Sequence, residues 1–458
     1  MKKIVKFTLL LIVMIICIGV TACDNEEEGD KIKIKFYTKS FEKWADDYLK
    51  QAVKEYNRTN TDNIEVSIKI YMTNDDYNSA LSTGIENNTA PDTYLLSYPN
   101  LSIYADAEYL IPVTKYLTEE EQAKYYDAAK SNVVLNDDYY LFPWYTEPST
   151  VFYYRKDIFK SYGLTAPETI DDLYEICRVL EPTLNNGQYA LGLPVKSGDL
   201  SGFTWGLQYN FTGGLALTDD WLSHRLDNEG YKELANFFYN CVKNKWTSAD
   251  NLTTDGYANL VTALCRKEPA CVMAISGSWQ ISEIYEKYPD YLDKIGLCKM
   301  PTLEKNADRT SSTNGGWGFA ISSQSSQQKQ DAAAKFIKWL TLDDDARSAE
   351  YFEIEHMAKF PANQKAVEYI KTNNFAEINQ EWFNIIEEIS SKSIKEAAYG
   401  WDVNFAVGTM FEEVILAARN GAKFDDAFTT AHRTALSKVA TTINQPSWQK
   451  NPYYKEGN

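Results

Sequence analysis

Tryptophans next to glycine, serine or proline are the residues of this chain best placed to do chemistry. Trp144 follows Pro143, Trp279 ends Ser276-Gly277-Ser278, Trp317 lies inside Gly315-Gly316-Trp317-Gly318, and Trp401 follows Gly400. Trp205, with Tyr209 close behind it, is a further candidate in an aromatic, glycine-rich stretch. A flat indole offers a platform for the apolar C–H face of a saccharide ring. The hydroxyl edges of such a ring need planar polar groups, because a buried hydroxyl left unpaired costs ~1–3 kcal/mol. Glu147 before Pro148, Asp92 after Pro91, and Lys39 with Ser40 after the first strand suit that role. The carboxyl end of a strand opening into a helix is where open α/β sheets bind ligands. Two of these residues have a plain structural alternative. Asp92 suits bonding to neighbouring amides in a tight Pro-Asp turn, and Trp144 suits packing. Trp44, Trp339 and Trp382 fall in helical periodicity and read as core or surface.

Other chemistries find little support. The three histidines, His224, His356 and His432, have no His or Cys at a metal-ligand spacing, so no metal site is expected. No nucleophile elbow, Ser/His/Asp order or P-loop is present, and no cofactor is implied. A glycosidase needs two carboxylates flanking a bond, a geometry that sequence leaves open; an enzyme is not expected. The formal charge of -18 argues against nucleic acid, whose binding needs a basic surface. Cys177, Cys241, Cys265, Cys271 and Cys298 are scattered and odd in number, which is not a disulfide framework. Buried thiols are expected there, with a Cys265–Cys271 pair as the alternative.

The chain opens with Lys2, Lys3 and Lys6, then an apolar run from Leu9 to Val20, then small residues and Cys23. The run is short for a span of ~20 residues and reads as a secretory signal over 1–22. Its end resembles a bacterial lipobox, which implies Cys23 as the lipid-bearing first residue of the mature protein. Losing the three leader lysines makes the remainder more acidic still. Residues 23–30 read as a flexible tether. Ile32–Phe36 alternates as a strand, with Ser40 a candidate N-cap for a helix from Phe41. Ile64–Ile70 and Thr93–Leu96 follow as strands, with a helix around 77–88 between them, giving a βαβαβ unit and a parallel sheet. The lysines alternating in the first strand sit uneasily there, since parallel strands are usually apolar on both faces. Val133–Phe142 reads as a hairpin and Tyr139–Pro148 as an irregular, proline-bounded crossing. From Ala366 the pattern is helical. The length calls for two lobes.

The order of motifs resembles the extracellular solute-binding proteins of ABC importers, the family that includes maltose-binding proteins. The carrying residues begin with Ala90-Pro91-Asp92, Tyr109-Leu110-Ile111-Pro112, and Tyr139–Pro143 leading to Tyr153-Tyr154-Arg155-Lys156-Asp157. Tyr162-Gly163-Leu164 with Pro167 and Thr169, Ser276–Trp279 and Gly315–Ile321 continue the series. Lys335–Leu340, Phe360-Pro361-Ala362 and a terminal helix pair headed by Trp401 complete it. The resemblance implies an α/β, two-lobed periplasmic-binding-protein fold with its ligand cleft at the hinge. It implies lobe one at about 31–143 and 303–345, and lobe two at about 146–300 and 350–458. It also implies a carbohydrate ligand, sugar contacts at Trp279 and Trp401, ABC permease subunits as partners, and a monomer. The protein would be held to the extracytoplasmic face of the cell membrane by lipid alone. A polyamine or peptide ligand, or presentation of ligand to a membrane sensor, is the alternative.

Overall fold

The structure, a computed structural model, describes residues 31–253, 256–305, 312–397, 399 and 401–449. The leader, the tether and Cys23 lie outside the described residues. The strands are β1 (Ile32–Lys39), β2 (Ile64–Tyr71), β3 (Thr93–Ser97), β4 (Val134–Leu135), β5 (Asp138–Tyr139), β6 (Phe142–Pro148) and β7 (Val151–Arg155). Then come β8 (Tyr189–Gly192), β9 (Cys271–Ser276), β10 (Ile295–Cys298), β11 (Thr313–Ile321), β12 (Phe360–Pro361) and β13 (Ile394–Lys395).

The first sheet runs β12-β6-β11-β3-β1-β2, with β13 on the flank of β11. β1 is parallel to β2 and β3, while β11 is antiparallel to β3 and β6. The alternating lysines of β1 now have an explanation. Ile34 and Phe36 are buried, and Phe36 packs against Phe336 of the helix Gln327–Thr341, with ring centres 5.8 Å apart. Lys33 and Lys35 are exposed on the other face, which is uncovered at this end of the sheet. The expected helix starts two residues later than Phe41, at Lys43, and Ser40 does not cap it. The Ser40 hydroxyl donates instead to Asp46 Oδ2 in the first turn, at 2.6 Å.

The second sheet runs β10-β7-β9-β8. Helices Ile170–Leu180, Glu229–Lys243, Trp401–Arg419 and Phe424–Ile443 contribute buried faces to its core. Thr169 opens the first of them with a capping box to Asp172. All five cysteines among the described residues are free thiols, Cys265 and Cys271 included.

Three expectations change. Tyr139–Pro148 is not a crossing between lobes, because Phe142–Pro148 forms a strand of the first sheet, bulged at Trp144. The crossing is confined to Ser149 and Thr150. Trp144 is not a platform in a cleft but core, 4% exposed, with its ring centre 4.5 Å from that of Tyr351 and 5.1 Å from that of Phe319. The segment from 350 does not return at once to the second lobe. Tyr351 packs on Trp144, and β12 pairs with β6. The helix Gln380–Lys392 then reaches the other lobe through Glu388, whose Oε1 is 2.8 Å from Lys299 Nζ. The chain crosses only at β13.

The three crossings lie side by side. Ser149 N–H donates to Thr313 O at 2.9 Å, and Thr150 N–H to Ser312 Oγ at 3.1 Å. β13 runs parallel to β11, and Ile394 N–H donates to Ser312 O at 3.3 Å. Residues 306–311, on the expected path from Met300-Pro301-Thr302, lie outside the described residues.

Removing the buried indole should cost ~3–5 kcal/mol. The variant Trp144→Ala is expected to lose that much in urea unfolding followed by far-UV circular dichroism. A loss under 1 kcal/mol would contradict its place in the core.

Candidate functional site

β1, β6 and β11 all point one end at the second lobe, and those strand ends, with Phe41 just after β1, carry the polar and aromatic residues. On the first-lobe side, Phe41 meets Trp317 edge to face at 5.3 Å and 88°. The Lys39 ammonium sits 4.5 Å from the Phe41 ring centre and 5.0 Å from that of Trp317. Strand register puts Tyr145 opposite Trp317 and Glu147 opposite Gly315. Gly316 must be glycine, since its φ is 149° and a Cβ would collide with the Tyr145 carbonyl. Gly315 leaves room for another chain segment, because a Cβ there would stand 2.5 Å from Glu396 Oε1. Glu396 follows β13 directly, so the third crossing delivers its carboxyl to the glycine that faces Glu147.

On the second-lobe side, Trp279 heads the helix Gln280–Lys287. It is half-buried, folded over Gly277, and packed 5.8 Å from Phe203 and 6.2 Å from Tyr257. Phe203 stacks on Tyr257 at 4.2 Å and 17°. The Tyr257 hydroxyl donates to the Ser149 carbonyl, tying this cluster to the first crossing. Ser278 N–H donates to Pro148 O at 2.9 Å, tying the Trp279 loop to the end of β6.

The electrostatics of the site follow from burial. Glu147 Oε2 is buried without a hydrogen-bond partner. Burial lifts the Glu147 carboxyl to about 6, against the pull of Lys359 and Lys39. Burial, and then Glu147 itself, push Glu396 up to about 8. Burial lowers Lys39 to about 8, with Glu147 opposing and Lys359 assisting. Beneath Phe41 lies Lys359, 1% exposed. Its ammonium pairs with Glu355 and with Glu42 at 3.3 Å, 4.8 Å from the Phe41 ring centre. Burial works against that charge, but Glu355, Glu42 and Glu147 together raise the Lys359 pKa.

Of the residues singled out from sequence, Lys39, Glu147 and Trp317 come together on the first-lobe side and Trp279 stands on the other, while Ser40 is turned to Asp46 in the next helix. Trp401 is the first residue of its helix, and its side chain lies outside what the structure describes. Asp92 is misplaced. It stands at the amino end of β3, away from the crevice, where it accepts from Lys35 N–H at 2.8 Å and Ser325 Oγ at 2.6 Å and pairs with Lys329. This is the backbone-tying alternative, with a longer reach than a local turn. Trp205 is also internal, 4% exposed, donating from Nε1 to Asn404 Oδ1 at 3.1 Å. Phe41, Phe203, Tyr257 and Glu396 were missed. Phe41 was assigned to a helix face, and Phe203 lies just ahead of the aromatic stretch already noted. Glu396 gave no signal, since what puts it here is the β13 pairing.

A second hollow of about 660 Å³ lies between the β4–β5 hairpin, the segment after β13, and residues 209–225. It shares only Glu396 with the crevice. Among the described residues no cluster of three His, Cys, Asp or Glu side chains suits a metal, and no helix is long and apolar enough to cross a membrane.

Residues 43–347 match the family described as bacterial extracellular solute-binding protein, and the chain belongs to it. Two lobes, mixed sheets and hinge-side crevice are its two-lobed periplasmic-binding-protein fold. The chain is 24% identical over 267 residues to the maltotriose-binding protein of Pyrococcus abyssi, a match covering 58% of this chain and 54% of the relative. The chain thus spans about half the length of that relative. It is 22% identical to the multiple sugar-binding protein of Streptococcus mutans, covering 78% of this chain and 82% of the relative. Among solved structures, the sugar-binding protein MalE from Xanthomonas citri superposes with a TM-score of 0.71 at 18% identity, covering 90% of this chain and 98% of that one.

The Glu396 carboxyl sits above its unfolded value, so the native state holds more proton than the unfolded state between about pH 4.5 and 8. Its contribution therefore falls as pH rises through that window. Glu396→Gln cannot ionise, and its melting temperature is expected to fall less than that of the wild type between pH 5 and 8. Parallel melting curves would place the carboxyl elsewhere.

Proposed function

We propose that the protein is the substrate-binding lipoprotein of an ABC importer, capturing a carbohydrate between its lobes and delivering it to the permease. The observation that carries this reading is the pairing of two half-buried aromatic edges across one hinge. Phe41–Trp317 comes from the first lobe and Phe203–Trp279 from the second, with Glu147 between them on the crossing. Ring faces would lie on the indoles, and hydroxyls would meet Lys39 and the orphaned oxygen of Glu147. Closure would be a hinge motion about the three crossings. The names of the relatives support a saccharide, an oligosaccharide in this reading. The family is one of binding proteins, and capture needs no catalysis. The lobes are read as 31–148 with 313–392, and 151–300 with 401–449. The protein acts as a monomer, without nucleic acid, on the extracytoplasmic face of the cell membrane.

A polyamine is the second reading, favoured by Glu147 and Glu396 standing beside aromatic rings. Thermal melts of residues 24–458 against glucose, maltose, maltotriose, raffinose and xylotriose, with spermidine and a tripeptide alongside, separate the two. A ligand at 100 times its Kd stabilises by ~2.7 kcal/mol, a shift of several degrees at roughly 2–4 °C per kcal/mol. The expected result is a shift with a saccharide and none with spermidine. Trp279→Ala should weaken the saccharide that shifts the melt at least tenfold in calorimetry, and unchanged affinity would remove Trp279 from the site.

Cys23 would carry two acyl chains, enough for stable anchoring. Palmitate labelling of the full chain in a bacterial host is expected to disappear in Cys23→Ala. Labelling that persists would refute lipid attachment at this residue.

A further inference from the structure

Glu396 is the one carboxyl at the hinge that comes without a cation. Glu147 faces Lys39 from β1 and Lys359 from the segment before β12. Among the described residues no lysine or arginine offsets Glu396, and the charge it meets is that of Glu147. The other polar groups around it are phenols. Tyr98, after β3, and Tyr257, from the second lobe, both feel its charge. Tyr98 already donates to Tyr145 O at 2.8 Å, and Tyr257 to the Ser149 carbonyl, so neither hydroxyl proton is free to serve Glu396. Lys395, its chain neighbour, has its pKa lowered by burial with no pull from Glu396, and Glu42 is engaged by Lys359 at 3.3 Å. Gly315 leaves the space that Glu396 Oε1 fills, directly across the ladder from Glu147. Two carboxyls brought to the same side of one ladder cannot both ionise cheaply, and a shared proton relieves the repulsion.

We infer that Glu396 enters the ligand site as a protonated acid that donates a hydrogen bond, so that the cleft takes an uncharged polyol rather than a cation. The inference deepens the carbohydrate reading above and rests on it for the ligand. Its geometry gives complementary halves. Glu396 offers a donor, and Glu147, held anionic by two lysines, offers an acceptor with one oxygen unoccupied. A hydroxyl, which both donates and accepts, satisfies the two together. An ammonium group satisfies only the acceptor and leaves the acid proton without a partner. The raised pKa of Glu396, about 8, agrees with this state at neutral pH.

The sign of the pH dependence separates the two ligand classes. A polyol requires the acid form, so its affinity should weaken about tenfold between pH 6 and 9, one unit above the pKa of Glu396. A cation prefers the ionised pair, so its affinity should strengthen over the same range. The test is calorimetry of the wild type and of Glu396→Gln at pH 6 and 9, with the saccharides named above and with spermidine. It is paired with an infrared titration of the ligand-free protein. The expected results are a saccharide affinity that weakens with pH in the wild type and about tenfold less in Glu396→Gln, where the slope left is that of Lys39, which titrates at about 8. A protonated-carboxyl band should also disappear near pH 8 and be absent from the variant. Saccharide binding that is flat in pH, or a missing band while saccharide binds, overturns the inference and leaves the carbohydrate reading standing. Spermidine binding that strengthens with pH, with no saccharide bound, overturns both. An intact band with no saccharide bound at either pH overturns the ligand class, while placing the proton on Glu396.

Discussion

Everything in this molecule hangs on three short backbone crossings that share hydrogen bonds. Ser149-Thr150, Ser312-Thr313 and Ile394-Lys395 are stitched edge to edge into a ribbon between the two lobes, and beside it Tyr285 of the second lobe stacks on His356 at 3.7 Å and packs on Trp382 at 6.0 Å. A ribbon of paired extended segments can twist and flex while its ladder is kept, which suits a hinge. The same ribbon floors the crevice. Glu147 is the last-but-one residue of β6, Gly315 the third of β11, and Glu396 the first after β13. The hinge and the polar part of the site are therefore the same residues, and a ligand that bonds to them bonds to the axis of motion.

The aromatic parts are held from outside that axis. Phe41 lies between two ammonium groups, Lys39 on the crevice side at 4.5 Å and Lys359 on the core side at 4.8 Å. Lys359 is a buried cation whose desolvation is met by Glu355, Glu42 and the surrounding rings of Trp44, Tyr145 and Tyr351. Such a network contributes little net stability but fixes geometry, because breaking one partner strands another charge. It sets the height of Phe41, and Phe41 sets the edge against which Trp317 rests. On the other lobe, Tyr257 does the comparable work by bracing Phe203 and Trp279 while bonding to the first crossing.

Sequence reasoning reached the fold class and the two-lobed plan because those depend on local signals. The alternation of Ile34 and Phe36 and the hairpin that turns at Asn136-Asp137 are set within a few residues. The glycines around Trp317 read as a loop, but Trp317 stands inside β11, paired with Ser97 and Tyr145, whereas Trp279 does sit in the turn before its helix. The same reasoning failed at Trp144, where Pro143 suggested an irregular segment. Proline is tolerated in β6 because the register breaks beside it, where Trp144 is the extra residue of β6 between Tyr145, opposite Trp317, and Pro143, opposite Gly318. It failed at Asp92 because the partners, Lys35 and Ser325, are far away in sequence. Glu396 was invisible for the same reason, as only the parallel pairing of β13 with β11 brings it to Gly315. The late return to the second lobe was also illegible, since a helix on either lobe has the same period.

The measurement that bears most directly on the account is hydrogen–deuterium exchange of the whole protein, with and without the saccharide that gives the largest melting shift. Capture at the hinge predicts added protection in residues 145–150, 313–317 and 276–281, together with the segment around Glu396. Protection confined to residues 209–225 and the β4–β5 hairpin would put the ligand in the second hollow and contradict the central claim.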